Sequence, residues 1–257
     1  VIDLIKKCMT YLLKKVRMRK KTSLILIFAG LLFYACNRPS EGSRKAGEHI
    51  TNTVQAVVET EPVPQHKNED AADDPAIWIH PQNPEKSVII GTDKKGGLVT
   101  YNLKGEQLNY YFTGKMNNCD VRYGFPINGH SVDIVAASNR TSHSLSIFKI
   151  RENGYLDSLH IRIIKSEMKD EVYGLCMYKS PKTRKFYAFM NSKAGEVEQY
   201  ELISTHKRID ARLVRSFSVG TQTEGMVADD ETGILYLGHE EAGIWKFDAE
   251  PDGSSQG

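Results

Sequence analysis

GLVTY (97–101), SLSIF (144–148), EVEQY (196–200) and GIWKF (243–247) align without gaps, each with an aliphatic second residue and an aromatic fifth. The aromatic positions Tyr101, Phe148, Tyr200 and Phe247 are separated by 47, 52 and 47 residues. Ahead of each segment lies a second short apolar run: SVIIGT (87–92), VDIVAAS (132–138), KFYAFMN (185–191) and ILYLGH (234–239). Ahead of that comes a third: PAIWIH (75–80), VRYGF (121–125), YGLCMY (173–178) and GMVAD (225–229). A further strand follows in the first three units, QLNYYFT (107–113) for one. Runs this short, rich in β-branched and aromatic residues and bounded by turn formers, are strands, and no long stretch keeps a helical period. Four antiparallel strands repeating every ~40–50 residues are the signature of β-propeller blades. The competing reading is a β-sandwich with regular turns. The expected fold is therefore all-β, a propeller of four-stranded blades with about four units present.

The meander fixes where chemistry can gather. In blades with strands A to D, the A–B and C–D turns share one end, while the B–C loops and the links from D into the next A share the other. HPQNPEK, FPINGH, KSPKTRK and DDETG fall at the first end and are polar turn formers. The second end receives Asp73 and Asp74, Asn118 and Asp120, Glu171 and Tyr173, and Glu224 before the A strands. Its B–C loops bring Asp93 and Lys94, Asn139 and Arg140, Asn191 and Lys193, and His239, Glu240 and Glu241. Carboxylates with a tyrosine hydroxyl and backbone carbonyls form an all-oxygen environment suited to calcium. Lys94, Arg140 and Lys193 among them are the donors that phosphate needs. Taken singly, each of these residues is more simply a turn former or a solvated charge. Convergence at one end gives them weight.

Working outward, the N-terminal region has a different character. From Met18, MRKKTSLILIFAGLLFYAC runs through a basic stretch and a short apolar stretch to Cys36, in the order of a bacterial lipoprotein signal. Phe33 stands where such signals usually carry an aliphatic residue. The apolar stretch is short of the roughly 20 residues that span a bilayer. Lipidation of Cys36 would place the protein in the cell envelope, held to membrane by a lipid anchor only; plain secretion and an uncleaved anchor are the alternatives. Residues 1–36 are thus expected to be an over-extended start plus signal, 37–69 a linker with one possible strand at Thr53–Val58, and 70–257 the propeller domain. The net charge of +2 conceals the basic cluster of Lys6 to Lys21. The remainder is acidic, which speaks against nucleic-acid binding. Cys119 and Cys176 show neither a disulfide framework nor zinc spacing and are expected to be buried.

DAADDPAIW (70–78), GKMNNCDVRYGFPING (114–129), AASNR (136–140), EVYGL (171–175), GEVEQYEL (195–202), TEGMVADDE (223–231) and IWKFDAEPDG (244–253) closely resemble the β-propeller phytases, in order and with near-constant spacing. The resemblance implies a six-bladed fold holding several calcium ions, in which metal-activated water attacks phytate or another phosphate monoester. It implies catalytic calcium ligation by Asp73, Tyr173, Glu224 and Glu240, and a tight site of Asp74 with the carbonyls of Pro75 and Cys119. Lys94, Arg140 and Lys193 would bind phosphate. Ala194 and His239 depart from the family's pattern, each standing where an acidic residue is usual. The fourth unit lacks its last strand at Gly257, so the chain is expected to be the N-terminal portion of such an enzyme, acting as a monomer. A propeller that kept the scaffold and binds phosphorylated ligands or partner proteins without turnover is the competing expectation.

Overall fold

The computed structural model describes residues 54–64, 69–158, 163–205 and 208–257. The signal segment and Cys36 lie outside the described residues. Ala56–Gly257 forms one compact unit. Its strands fall into four antiparallel sheets, each a meander in chain order. The first holds β1 (Ala72–Trp78), β2 (Val88–Asp93), β3 (Gly97–Tyr101) and β4 (Gln107–Phe112). The second holds β5 (Met116–Ile127), β6 (His130–Asn139), β7 (Ser144–Ile150) and, both paired with β7, the short β8 (Leu156–Ser158) and β9 (Ile164–Lys165). The third holds β10 (Val172–Lys179), β11 (Phe186–Ser192), β12 (Glu196–Thr205) and β13 (Arg208–Ser218). The fourth has three strands, β14 (Thr223–Asp229), β15 (Ile234–His239) and β16 (Gly243–Asp248). These are propeller blades, and the four aligned segments are β3, β7, β12 and β16.

The core is a series of layers between successive blades. Trp78, Ile90 and Leu98 of the first sheet pack on Met116, Val135 and Phe148 of the second. Ile134 and Ile147 meet Met177, Ala188 and Met190 of the third. Tyr178, Phe189 and Val197 meet Leu235, Leu237 and Phe247 of the fourth. A middle strand is covered on both faces, so it reads as a continuous apolar run rather than an alternation. β11, FYAFMNS, is buried at every position. Two side-chain hydrogen bonds tie sheet residues to partners distant in the chain. Trp78 Nε1 donates to Asp133 Oδ2 at 2.9 Å, and Tyr178 Oη to Glu250 Oε1 at 2.9 Å.

Each innermost strand breaks its pairing register near the same end, and β5 breaks it a second time between Arg122 and Phe125. The breaks near that end fall between Ala72 and Pro75 in β1, Met116 and Cys119 in β5, Val172 and Leu175 in β10, and Thr223 and Met226 in β14. A bulge of this kind leaves a residue outside the ladder and re-aims its side chain. The strands therefore begin one to five residues earlier than the sequence suggests, and take in polar residues that read as loop, Asp73, Asp74, Asn117, Asn118 and Glu224.

The strand expected at Thr53–Val58 is a correction. Thr53 lies outside the described residues, and Val54–Val58 is unpaired chain with Val57 93% exposed. The contact with the first sheet comes later, where Glu61 N–H donates to Gly105 O at 2.8 Å and Val63 is buried on Val99 and Tyr101. Cys119 and Cys176 are buried free thiols, as expected.

Candidate functional site

The four bulges present Asp73-Asp74, Asn117-Asn118, Tyr173-Gly174 and Glu224-Gly225 at the end shared with the β2–β3, β6–β7, β11–β12 and β15–β16 loops. Contacts between blades tie these groups together. Lys94 Nζ lies 3.2 Å from Asp73 Oδ1 and 3.0 Å from Asp70 Oδ2. Hydrogen bonding to Asp70, then to Asp73, raises its pKa further. Arg140 Nη2 lies 2.7 Å from Glu171 Oε2, and Lys193 Nζ reaches the same oxygen at 3.2 Å. Both cations stand over the Tyr173 ring, 5.9 Å and 4.9 Å from its centroid, within range of a cation–π attraction. Asn117 Nδ2 donates to Glu224 Oε1 at 3.0 Å, and the Tyr173 hydroxyl also hydrogen-bonds Glu224. Burial, followed by the charge of Glu224, raises the Tyr173 phenol, which stays protonated at neutral pH. Glu240 is held by Gln222 Nε2 at 2.7 Å and is close enough to contribute to the field at Tyr173.

Asp73, Arg140, Tyr173, Glu224 and Glu240 thus share one electrostatic neighbourhood, and Lys94 and Lys193 are paired within it. Asp74 lines a cavity of about 280 Å³ between the innermost strands, together with Pro75, Cys119 and Asp120. Its Oδ2 accepts the Cys119 amide at 2.9 Å, so it is the N–H of Cys119 that the structure brings to this carboxylate. Burial raises Asp74 to about 6, and the neighbouring charges of Asp73 and Asp120 push the same way. Asp93 differs from expectation: it is buried, accepting from Tyr110 Oη at 2.5 Å and the Lys95 amide at 2.8 Å. His239 is buried as well. Its Nδ1 accepts the Ala242 amide at 3.0 Å and its Nε2 meets Thr221 Oγ1 at 2.6 Å, which shapes the loop carrying Glu240.

Asn117 escapes a reading of single residues, and Asn191, visible at this face, has contacts that such a reading does not show. Asn117 lies inside β5 and bridges Asn118, Glu224 and Arg140. Asn191 Oδ1 accepts Gly174 N–H at 2.7 Å while its Nδ2 donates to Glu224 O at 3.0 Å, pinning β10 to β14 beside Tyr173. The available signal was the repeated doublet ahead of each A strand. Gly174 makes that close approach possible, because a Cβ there would lie 1.9 Å from Glu224 O. Gly174→Ala is expected to lower stability by about 1–3 kcal/mol through forced backbone movement. Thermal unfolding checks this, and an unchanged Tm would mean that β10 and β14 are not held as described.

The donor set is oxygen throughout, which suits a hard divalent cation. Burial is the main cause of the raised Asp74 carboxyl, with the charges of Asp73 and Asp120 adding to it, and a cation bound beside it would offset both. On that observation the residues fit calcium. Among the described residues no three His, Cys, Asp or Glu side chains converge as a metal cluster, so backbone carbonyls and water would have to complete the coordination.

Residues 21–257 match the family profile described as Phytase. The chain is 45% identical over 243 residues to a 3-phytase of Bacillus subtilis (strain 168), a match covering 92% of this chain. It spans 63% of that relative's length. A solved structure from Bacteroides fragilis NCTC 9343, provisionally described as a 6-phosphogluconolactonase, is similar at TM-score 0.44 and 13% identity, covering 67% of this chain and 49% of its own.

Proposed function

This chain belongs to the phytase family, and from that membership we propose that its loop face hydrolyses phosphate monoesters, phytate above all, with calcium as cofactor. One observation carries the proposal: Arg140 and Lys193 converge over Tyr173, which adjoins the Glu224 carboxylate of the next blade. Phosphoryl transfer asks a protein mainly for positioning and charge, and this face supplies both. Arg140 offers a planar fork and Lys193 a point charge to the phosphate oxygens. The Tyr173 ring supports the two cations from below. Glu224, held by Asn117 and the Tyr173 hydroxyl, would orient an attacking water and accept its proton. The water oxygen bonds to phosphorus as the bond from phosphorus to the ester oxygen breaks, and a proton passes to the departing alkoxide. Asp73, Asp74, Tyr173, Glu224 and Glu240, with the carbonyls of Pro75 and Cys119, would hold calcium. When bound, it neutralises substrate charge and lowers the pKa of coordinated water.

The experiment is phosphate release from phytate during a calcium titration, with melting curves taken alongside. Binding to the folded state alone adds about 2.7 kcal/mol at a hundredfold excess over Kd. Turnover that rises with calcium, and a Tm that falls with chelator and recovers on calcium addition, are the expected results. Asp74 gives the calcium effect a pH signature. Its folded pKa of about 6 lies above the unfolded 3.8, so without metal its contribution favours folding below about pH 4 and is lost as pH rises to 6. Calcium should flatten that decline. Identical curves with and without chelator at neutral pH would sink the calcium part. Phosphate binding without turnover would instead favour a non-catalytic binding module.

A further inference from the structure

The cradle formed by Arg140 and Lys193 already contains an anion. Glu171, just ahead of β10, places one carboxylate oxygen 2.7 Å from Arg140 Nη2 and 3.2 Å from Lys193 Nζ. One acidic oxygen between two cations is the arrangement that a phosphate oxygen would take up. The match is incomplete in a telling way. Glu171 engages only half of the guanidinium fork, since Arg140 Nε is buried without a hydrogen-bond partner. A buried donor left unsatisfied is costly, and a tetrahedral oxyanion with a second oxygen could satisfy it.

The carboxylate is also presented on a fixed mount. The link at 166–170 is clamped to β12 by two glutamates. Glu198 accepts from Ser166 Oγ at 2.7 Å and Glu167 N–H at 2.9 Å; Glu196 accepts from the amides of Lys169 and Asp170 at 3.1 and 3.2 Å. His143 Nε2 bonds Met168 O at 2.9 Å from the β6–β7 loop, which also carries Arg140. Glu171 itself is half-exposed, so its side chain can swing into solvent without disturbing that mount.

We infer that Glu171 is a tethered placeholder: its carboxylate occupies the Arg140–Lys193 cradle in the free protein and is displaced when a phosphate group enters. The inference rests on the reading of that cradle as the phosphate site. Glu171 holds the two cations together when the site is empty, against their mutual repulsion. It also sets a threshold that only a more highly charged or bidentate anion overcomes. A dianionic phosphate monoester with three terminal oxygens passes it; a monoanion with one oxygen to offer gains nothing over the resident carboxylate. Glu171 is in this sense a specificity-determining residue.

The test is calorimetric titration of the full chain with inorganic phosphate, in chelator to keep calcium phosphate out, for wild type, Glu171→Gln and Arg140→Ala. Glu171→Ala serves as a second variant. Removing the resident anion should tighten phosphate binding about fivefold, the scale of a partly exposed ion pair, while Arg140→Ala weakens it. If Arg140→Ala weakens binding but neither Glu171 variant strengthens it, the placeholder is overturned and the cradle stands. If Arg140→Ala leaves binding unchanged, or neither wild type nor Glu171→Gln binds phosphate, the cradle reading fails and the placeholder falls with it.

Discussion

Arg122→Ala is expected to lower stability by about 3 kcal/mol, or roughly 10 °C in Tm for a domain of this size. Arg122 leaves β5 and reaches across the axis. Its Nη1 pairs with Asp120 Oδ2 at 2.9 Å and its Nε with Asp230 Oδ2 at 2.9 Å, while its Nη2 donates to the carbonyl of Met177 in β10. Three blades thus meet on one guanidinium. Asp120 in turn accepts the Met177 amide at 2.8 Å, and burial already raises its pKa despite the adjacent charge of Arg122. Truncation strands that carboxylate, and a buried charge left without its partner accounts for most of the expected loss. Asp230→Asn should do less, about 1 kcal/mol, because Asp230 is more exposed and the asparagine can still accept the Lys179 amide. Chemical denaturation of both variants decides it. Equal losses would mean that the network acts through Asp230 rather than through the stranded Asp120.

Glu224→Gln is expected to reduce kcat for phosphate release about 10²–10³-fold, the scale of removing a positioned general base, with little change in Tm measured in chelator. The amide keeps the shape of the side chain and can still accept from Asn117 Nδ2, so packing at the joint of β5, β10 and β14 survives. What disappears is the negative charge beside the Tyr173 hydroxyl. Phosphate affinity should hardly move, since Arg140 and Lys193 are untouched. A matched fall in phosphate affinity and kcat would assign Glu224 to substrate binding, and unchanged kcat would remove it from the chemistry altogether.

The fold is readable from sequence because a propeller's middle strands are covered on both sides. SVIIGT, VDIVAAS, KFYAFMN and ILYLGH carry almost nothing but apolar and small residues, and the aromatic at the fifth position of each following strand marks the repeat. The loop face is readable for a topological reason, since a meander sends alternate connections to opposite ends. Contacts that depend on reach are not readable. Arg122 looks like an ordinary strand cation, yet its length lets it span three blades. Glu171 was visible at the face, but its two cations come from loops 31 and 22 residues away in opposite directions along the chain. Valines at 54, 57 and 58 have strand propensity and no strand, because propensity needs a partner ladder to act on.

The four register breaks have a bearing on how such a face can change. An ordinary strand couples every position to one of two neighbouring blades, so each substitution answers to the volume of a core layer. A bulge resets that phase. The doublets Asp73-Asp74, Asn117-Asn118, Tyr173-Gly174 and Glu224-Gly225 precede the point where alternation resumes, and β1, for example, buries Ala76 and Trp78 only beyond it. Gly174 and the buried Asn117 are held by close contacts, but the more open doublet positions, Asp73 and Glu224 among them, can be rewritten in charge and hydrogen-bonding character while the layered interior keeps its parity. Chemistry and architecture are thereby drawn from separate alphabets in the same strand, which lets one scaffold explore new anions or metals two residues at a time.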